Sequence, residues 1–340
     1  MSTRAAVIGL GDISTLHLAA IQGLPGAELV AVCDVDPGRA AAAAERLGVA
    51  AFTDIATLFA EARPDVVHIC TPHSEHAAAA IAALDAGIHV ILEKPVARDP
   101  QQAAAVVAAA QRSTAKIAVC FQNRYNTPVA AAKRLLDAGT LGAIQGAAGT
   151  VIWHRTPAYY EASPWRGTWA GGGGGLLMNQ AIHTLDLLRW LVGPVASVAG
   201  TAATRALPIE VEDTAELTLE HTGGERSVFY ATTVHAANDA VTVSIVTEHA
   251  QLFLSGDLTV THADGRVEVV REETSAEGER AYWGVSHERL ITDFYDRLAD
   301  PDPFWISPAD GAALVDIIHE VYRGSYPDQI RTLTENGESE

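Results

Sequence analysis

The sequence predicts an α/β domain built on a doubly wound parallel sheet, followed by an α+β domain whose sheet is mostly antiparallel. Three observations carry this reading. Up to Gln122, short and continuously apolar runs alternate with alanine-rich helical stretches. After about Thr150 the rhythm changes to closely spaced strand-like segments divided by turn signals. The chain also has 340 residues, and at ~150 residues per domain that length suggests two.

In the first part the apolar runs are residues 5–8, 28–33, 66–70, 89–92 and 116–121. Runs with no polar alternation suit a parallel sheet covered on both faces. Helical segments at residues 39–47, 75–86 and 101–112 lie between them, with Gly48 and Gly87 as helix stops. Alanine-rich stretches also occur in low-complexity linkers, but here Leu, Ile and Val recur among the alanines at helical spacing. In the second part the candidate strands are residues 195–204, 215–219, 226–234, 240–247, 251–254, 258–262 and 266–271. Thr222-Gly223-Gly224, Asn238-Asp239, Ser255-Gly256-Asp257 and Asp264-Gly265 mark the turns of a meander. Helices at 286–298 and 308–323 follow, and an acidic end over 334–340 is expected to fray. The expected division is thus 1–122, 123–330 and a tail at 331–340, with no internal repeat.

Composition narrows the function. A hydrophobic fraction of 48% with 19% charged residues belongs to a globular chain. The net charge is −19, with no basic block, so neither a nucleic-acid nor an anionic-membrane surface is expected. Cys33, Cys70 and Cys120 are too scattered for a disulfide framework and point to a reducing compartment. No apolar run reaches the ~18 residues of a membrane span. Met1-Ser2-Thr3-Arg4 runs straight into the first strand without a signal-peptide pattern. A cytoplasmic location is the expectation.

Gly9-Leu10-Gly11-Asp12-Ile13-Ser14 follows a predicted strand and opens a predicted helix. A bare G-x-G also occurs in plain turns, but this context is the one a dinucleotide fingerprint requires. It supplies a tight turn at Gly9, close backbone approach at Gly11, and pyrophosphate over a helix N-terminus next to Asp12 and Ile13. Ser14 takes the place of the third glycine and is small enough to keep helix and strand close. Asp34 ends the second strand 25 residues after Gly9, where an acid meets the adenosine ribose hydroxyls, and Asp36 adds a second carboxylate. Two acids repel a 2′-phosphate, so NAD is favoured over NADP. Otherwise Asp34-Val35-Asp36-Pro37-Gly38 is simply a polar turn.

Two further strand ends carry chemistry: Thr71-Pro72-His73-Ser74-Glu75-His76 and Glu93-Lys94-Pro95. Ligands in open α/β sheets bind beyond the carboxyl ends of strands, so these residues should line the cleft, together with Gln122 at the end of the last strand. His73 and His76 have an H-x-x-H spacing but no obvious third ligand nearby, and no metal is assigned. A lysine at the end of a buried strand, like Lys94, either pairs with an acid or works on a substrate oxygen at lowered pKa.

Together these motifs resemble the glucose–fructose oxidoreductase / inositol dehydrogenase (Gfo/Idh/MocA) family. The resemblance rests on Gly9–Ser14, Asp34, Thr71-Pro72 with His76, Asp85-Ala86-Gly87-Ile88-His89-Val90 and, above all, Glu93-Lys94-Pro95. It continues through Asn123-Arg124-Tyr125 and Gly173-Gly174-Gly175-Leu176 ahead of Asn179, His183 and Asp186, and spans roughly residues 4–330. It implies a nicotinamide-binding Rossmann domain and an open-faced sheet domain that commonly mediates oligomerisation, so a homodimer or homotetramer is expected. It also implies that Lys94 binds the substrate hydroxyl or relays its proton beside the nicotinamide. His183 then acts as general base on a helix, paired with Asn179 where the family pattern has an acid; an amide can hold a hydroxyl but cannot take its proton. Asp186 either orients the His183 ring or makes an ordinary polar contact.

Gly171–Gly175 is either a flexible linker or a loop of close approach beside the substrate. Ahead of it, Tyr159-Tyr160, Trp165-Arg166 and Trp169 suit a sugar site or subunit packing, and Arg124 and Tyr125 are similar candidates. The resulting expectation is an NAD-dependent oxidoreductase acting on a secondary hydroxyl, or the matching ketone, of a sugar, sugar derivative or cyclitol. Its cofactor is either released or recycled in place. The alternative is a non-catalytic NAD-binding regulator or sensor, which would have no need to keep both Lys94 and His183.

Overall fold

The structure, a computed structural model, describes residues 2–272 and 285–337. The chain divides into two compact units, Met1–Gln122 with Val285–Val315, and Asn123–Gly284 with Asp316–Glu340.

In the first unit, β1 (Thr3–Ile8), β2 (Ala27–Cys33), β3 (Ala50–Phe52), β4 (Val66–Ile69), β5 (His89–Leu92) and β6 (Ile117–Val119) form one sheet in the order β3-β2-β1-β4-β5-β6. Every pairing in it is parallel. The strand order reverses between β1 and β4, which places a ligand crevice at their carboxyl ends. The helices are α1 (Ser14–Gly23), α2 (Pro37–Leu47), α3 (Ile55–Ala62), α4 (His76–Asp85) and α5 (Pro100–Arg112). Local chemistry sets their ends. Asp36, Asp54 and Asp99 cap α2, α3 and α5 through their carboxylates, and Gly48 closes α2 in the left-handed conformation at φ 70°. In α4 and α5 the buried positions are mostly alanine, which lets the two helices pack closely over the sheet. Strand β3 was not anticipated: Ala50-Ala51-Phe52 is short and largely exposed.

In the second unit, α6 (Thr127–Asp137), β7 (Ile144–Ile152), α7 (Pro157–Glu161), α8 (Trp169–Gly172) and α9 (Ile182–Val192) precede a run of strands. These are β8 (Val195–Ala203), β9 (Thr214–His221), β10 (Arg226–Thr232), β11 (Thr242–Thr247), β12 (Ala250–Ser255), β13 (Asp257–His262) and β14 (Val267–Val270). With β7 they make an eight-stranded sheet ordered β14-β13-β12-β11-β7-β10-β9-β8. Among the described strands of this sheet only β7 and β10 pair in parallel; the rest are antiparallel. Strand β7 is the element the sequence conceals. Its Gly149 is tightly packed: a Cβ would lie 3.1 Å from Leu188 and 3.2 Å from Phe229 and Thr184, closer than side chains ordinarily sit. Helix α9 thus seats on the sheet at a glycine, and the strand reads as a loop. The opposite face leaves Val228, Tyr230, Val246 and Phe253 more than 40% exposed.

The expected continuous second domain over 123–330 is interrupted, because Val285–Val315 packs with the first unit. There α10 (Ser286–Asp296) lies on α1, the Ile306 carbonyl accepts from Val119 N at 3.2 Å, and Lys116 Nζ donates to the Asp302 carbonyl at 2.7 Å. The division falls inside α11 (Pro308–Ser325), and α12 (Pro327–Gly337) follows. Residues 334–337, expected to fray, belong to α12; 338–340 lie outside the described residues. Among the described residues no helix is long and apolar enough to cross a membrane.

Candidate active site

The glycine loop is built as its residue types require. Gly9 has φ 85°, and a Cβ there would lie 2.7 Å from the backbone of Cys70 and Thr71, so only glycine lets the ends of β1 and β4 come this close. At Gly11, by contrast, a Cβ would meet nothing within 4 Å. Internal packing therefore does not explain this glycine, whereas close approach of a ligand from outside does. Gly11 and Asp12 are exposed and Ile13 is half-buried. Ser14 Oγ donates to the Gly11 carbonyl at 2.6 Å and fixes the turn. Helix α1 begins without a side-chain cap, leaving the positive end of its dipole uncompensated by a side chain.

Asp34 is buried at the end of β2. Its carboxylate accepts from Leu10 N at 2.8 Å and Asp36 N at 3.0 Å, which braces the glycine loop, and its free lone pairs can still take a ribose hydroxyl. Asp36 turns out to cap α2, accepting from Gly38 N and Arg39 N. Arg39, which the sequence reading passed over, lies 3.3 Å from Asp34.

Just beyond the carboxyl ends of the neighbouring strands β4, β5 and β6 the structure places Thr71, Lys94 and Gln122. Thr71 Oγ1 and Gln122 Oε1 are buried and have no hydrogen-bond partner. Pro72 and Lys94 are half-buried, and the Lys94–Pro95 peptide bond is cis. His73 and His76 are buried, their rings 5.6 Å apart. Both nitrogens of His76 face carbonyl oxygens, Pro95 O at 2.6 Å and Thr71 O at 2.9 Å. Burial keeps the ring neutral, so its single N–H donates to one of these carbonyls and the ring packs between two strand ends, where the sequence had placed it among the cofactor contacts. Glu93 is likewise turned into the core: its carboxylate meets His17 at 3.0 Å and His287 at 3.1 Å instead of lining the carboxyl edge of the sheet.

In the second unit a π-helical turn, Leu177–Ala181, leads into α9. Such turns cluster at functional sites. The Met178 and Ala181 side chains on this segment are buried, whereas Asn179, Gln180 and His183 are half-buried, so the two candidates are among the three more open positions of this helix start. Arg124 takes a different role from the substrate contact expected of it. Its Nε and Nη2 donate to Asp186 at 2.9 and 2.5 Å in a bidentate pair, with both side chains at most 2% exposed. Asp186 is thereby the acceptor for Arg124. Tyr125 is half-buried on the same turn. Tyr160, another substrate candidate, is 6% exposed and packs near Gly167. Trp165 and Arg166 remain half-buried, and Arg166 and Arg155 stack on the Tyr159 ring at 4.7 and 5.3 Å.

Glu212 holds this region and gave no signal in the sequence beyond an acid pair before a strand. It is fully buried and accepts from Gly175 N at 2.8 Å, Leu177 N at 2.7 Å and Tyr322 Oη at 2.7 Å. Its neighbour Asp213, also fully buried, accepts from the backbone of Arg205, Ala206 and Leu207. Burial pushes the Glu212 carboxyl up to about 7 despite its three donors. A carboxyl whose folded pKa is raised holds its proton more tightly in the native state. Its contribution is thus complete below its ordinary value of 4.5 and is lost as pH rises through about 7. The loss is roughly 3 kcal/mol. Urea unfolding between pH 5 and 8 should show this decline in the wild type and a flatter profile in Glu212→Gln. Parallel profiles would contradict it.

Residues 3–121 match the family model described as the oxidoreductase family, NAD-binding Rossmann fold, and residues 129–253 match the GFO/IDH/MocA C-terminal domain. A WlbA dehydrogenase from Bordetella pertussis, solved with NADH and UDP-GlcNAcA, superposes with a TM-score of 0.80 at 30% identity, over 96% of this chain and 97% of that one. Among curated proteins, D-apiose dehydrogenase from Paraburkholderia graminis is 31% identical over 66% of this chain, and inositol 2-dehydrogenase from Rhizobium meliloti is 32% identical over 60%. The matched region spans 59% of the length of each of these two. The chain belongs to the Gfo/Idh/MocA family, and its first unit is that family's NAD-binding fold.

Proposed function

We propose that the protein is an NAD-dependent oxidoreductase acting on a secondary hydroxyl, or the matching ketone, of a sugar, sugar derivative or cyclitol. The observation that carries this is the pair of buried, partnerless polar atoms, Thr71 Oγ1 and Gln122 Oε1, at strand ends on either side of Lys94. Buried polar atoms are nearly always hydrogen-bonded, so two orphans beside a lysine mark where a polar ligand completes the structure. The open space over Gly11 fits a pyrophosphate, and Asp34 fits the ribose hydroxyls. Bound NAD supplies the redox chemistry. Lys94 then holds the substrate oxygen, and His183, whose ordinary pKa lies near neutrality, takes the hydroxyl proton. Asn179 binds a second hydroxyl, with Trp165, Arg166 and Tyr125 as further substrate contacts. The half-exposed apolar row of the eight-stranded sheet supports assembly into a homo-oligomer.

The test is NADH formation, followed by absorbance, from purified protein, NAD and a panel of sugars and cyclitols. Turnover on any of them supports the reading; tight NAD binding with no turnover and no reduced nucleotide in the protein would favour a sensor. Cofactor choice has its own test. In Asp34→Ala the ribose acceptor is gone and Arg39 loses its acidic neighbour. NAD affinity should fall about tenfold, the size of one charge-assisted hydrogen bond, and NADP affinity should rise. An unchanged ratio of the two dissociation constants would remove Asp34 from the nucleotide site.

A further inference from the structure

Behind Lys94 lies a buried polar chain that the reaction as outlined does not use. Glu93 Oε1 meets His17 Nε2 at 3.0 Å and His287 Nε2 at 3.1 Å. His17 Nδ1 meets His68 Nδ1 at 2.9 Å, and His68 Nε2 meets the Tyr295 hydroxyl at 3.0 Å. On its other oxygen Glu93 accepts from the backbone N–H of Lys94 at 3.3 Å. Glu93 and the three imidazoles are at most 5% exposed, and all belong to the first unit.

These contacts admit one order of protons along the arm from Glu93 through His17 and His68 to Tyr295. Burial pushes Glu93 up, but the hydrogen bonds from His17 and His287 outweigh it and hold the carboxyl well below its ordinary value. Burial lowers both His17 and His68, so these rings are neutral and each carries one N–H. The carboxylate can only accept, so His17 and His287 carry their proton on Nε2. His17 Nδ1 is then an acceptor, and His68 must carry its proton on Nδ1. That leaves His68 Nε2 as an acceptor for the Tyr295 hydroxyl. Every donor points toward Glu93. The remaining charged or titratable neighbours of Glu93 are Lys94, His76, Cys70 and Cys120. Burial keeps the two thiols protonated.

We propose that Glu93 is a positioning residue: its carboxylate, fixed by His17 and His287 and oriented through His68 and Tyr295, holds the Lys94 backbone so that the Lys94 side chain is presented at the carboxyl edge of the sheet. The proposal rests on the role assigned above to Lys94. His17, Glu93 and Cys120 also place donor atoms within 4.8 Å of one another, a spacing a metal ion could use. The proton order accounts for the His17–Glu93 contact without a cation, so the chain is read as hydrogen-bonded.

Two measurements on the full-length protein test it. Long-range nitrogen–proton spectra of histidine-labelled wild type should show His68 as the Nδ1–H form and His17 and His287 as Nε2–H. An Nε2–H form at His68, a doubly protonated His17 or His68 ring at neutral pH, or one equivalent of bound metal in the purified protein overturns the chain. The second measurement compares His17→Leu with His17→Gln, whose amide N–H can still reach Glu93. In His17→Leu, hydrogen exchange at the Lys94 amide should rise about tenfold and kcat should fall about tenfold, the scale of one hydrogen bond, with NAD affinity within about twofold of wild type. His17→Gln should restore most of both. Unchanged exchange in folded His17→Leu, or NAD affinity lost in step with kcat, overturns the positioning role. If His17→Leu does not fold, Tyr295→Phe replaces it: His68 should keep its proton on Nδ1, which still faces the acceptor nitrogen of His17, and Lys94 exchange should rise. Failure of the wild type to turn over any polyol would count against the proposed function, while the spectra and the exchange rates would still judge Glu93.

Discussion

Lys94→Ala is expected to bind NAD about as tightly as the wild type and to reduce it with a polyol about 10³-fold more slowly, the middle of the range for loss of a positioned proton-handling group. The expectation follows from where the residue stands. Its strand lies between β4 and β6, whose ends carry the partnerless Thr71 Oγ1 and Gln122 Oε1, and its backbone is tethered from behind by Glu93. Removing the side chain leaves the glycine loop and Asp34 untouched, so nucleotide binding should survive. Lys94→Arg should recover little, because a planar fork does not replace a compact ammonium. Parallel loss of NAD affinity and turnover in Lys94→Ala would make the lysine a nucleotide anchor instead. Wild-type turnover in that variant would remove it from the chemistry.

Arg124→Met should be the most destabilising single change in the second unit. It strands Asp186, at most 1% exposed on its side chain, without its bidentate partner. Breaking a buried pair from one side costs about 3–5 kcal/mol, because the remaining charge stays desolvated. At about 2–4 °C per kcal/mol for a unit of this size, the melting temperature should drop by roughly 10 °C. The double variant Arg124→Met with Asp186→Leu should recover much of that loss, since an apolar replacement of similar volume removes both desolvation penalties. A double variant no more stable than the single one would mean that the cost lies in packing against Trp190, whose ring centre is 5.4 Å from the guanidinium.

The parallel sheet was legible because each strand is buried on both faces and so spells a continuous apolar run; residues 66–69 are fully buried at every position. Strands β9 and β10 were legible for the opposite reason, with side chains alternating between a packed and an open face. Strand β7 was not legible, since close approach of α9 selects glycine and alanine there and erases both signals. Site residues followed the same division. Gly9, Gly11 and Asp34 stand out as candidates from local spacing, because the turn and the strand end that carry them are local. Arg124 and Asp186, 62 residues apart in sequence, become partners only when the chain folds, as do Glu93 and His287, 194 apart. A sequence that marks an arginine as available does not reveal the acid that will claim it.

The return of Val285–Val315 to the first unit bears on how this protein can be cut and recombined. A fragment ending at Gln122 would keep the whole nucleotide fingerprint yet lose the Ile306 carbonyl beside Val119, the His287 donor to Glu93 and the Tyr295 end of the histidine chain. In engineering terms the nucleotide half is not a cassette with one seam. Residues 123–284 are an insertion within it, and a third seam, beyond those at the two ends of this insertion, runs through the middle of α11. Swapping substrate modules between relatives would therefore require three joints, the last one at a matched helical phase.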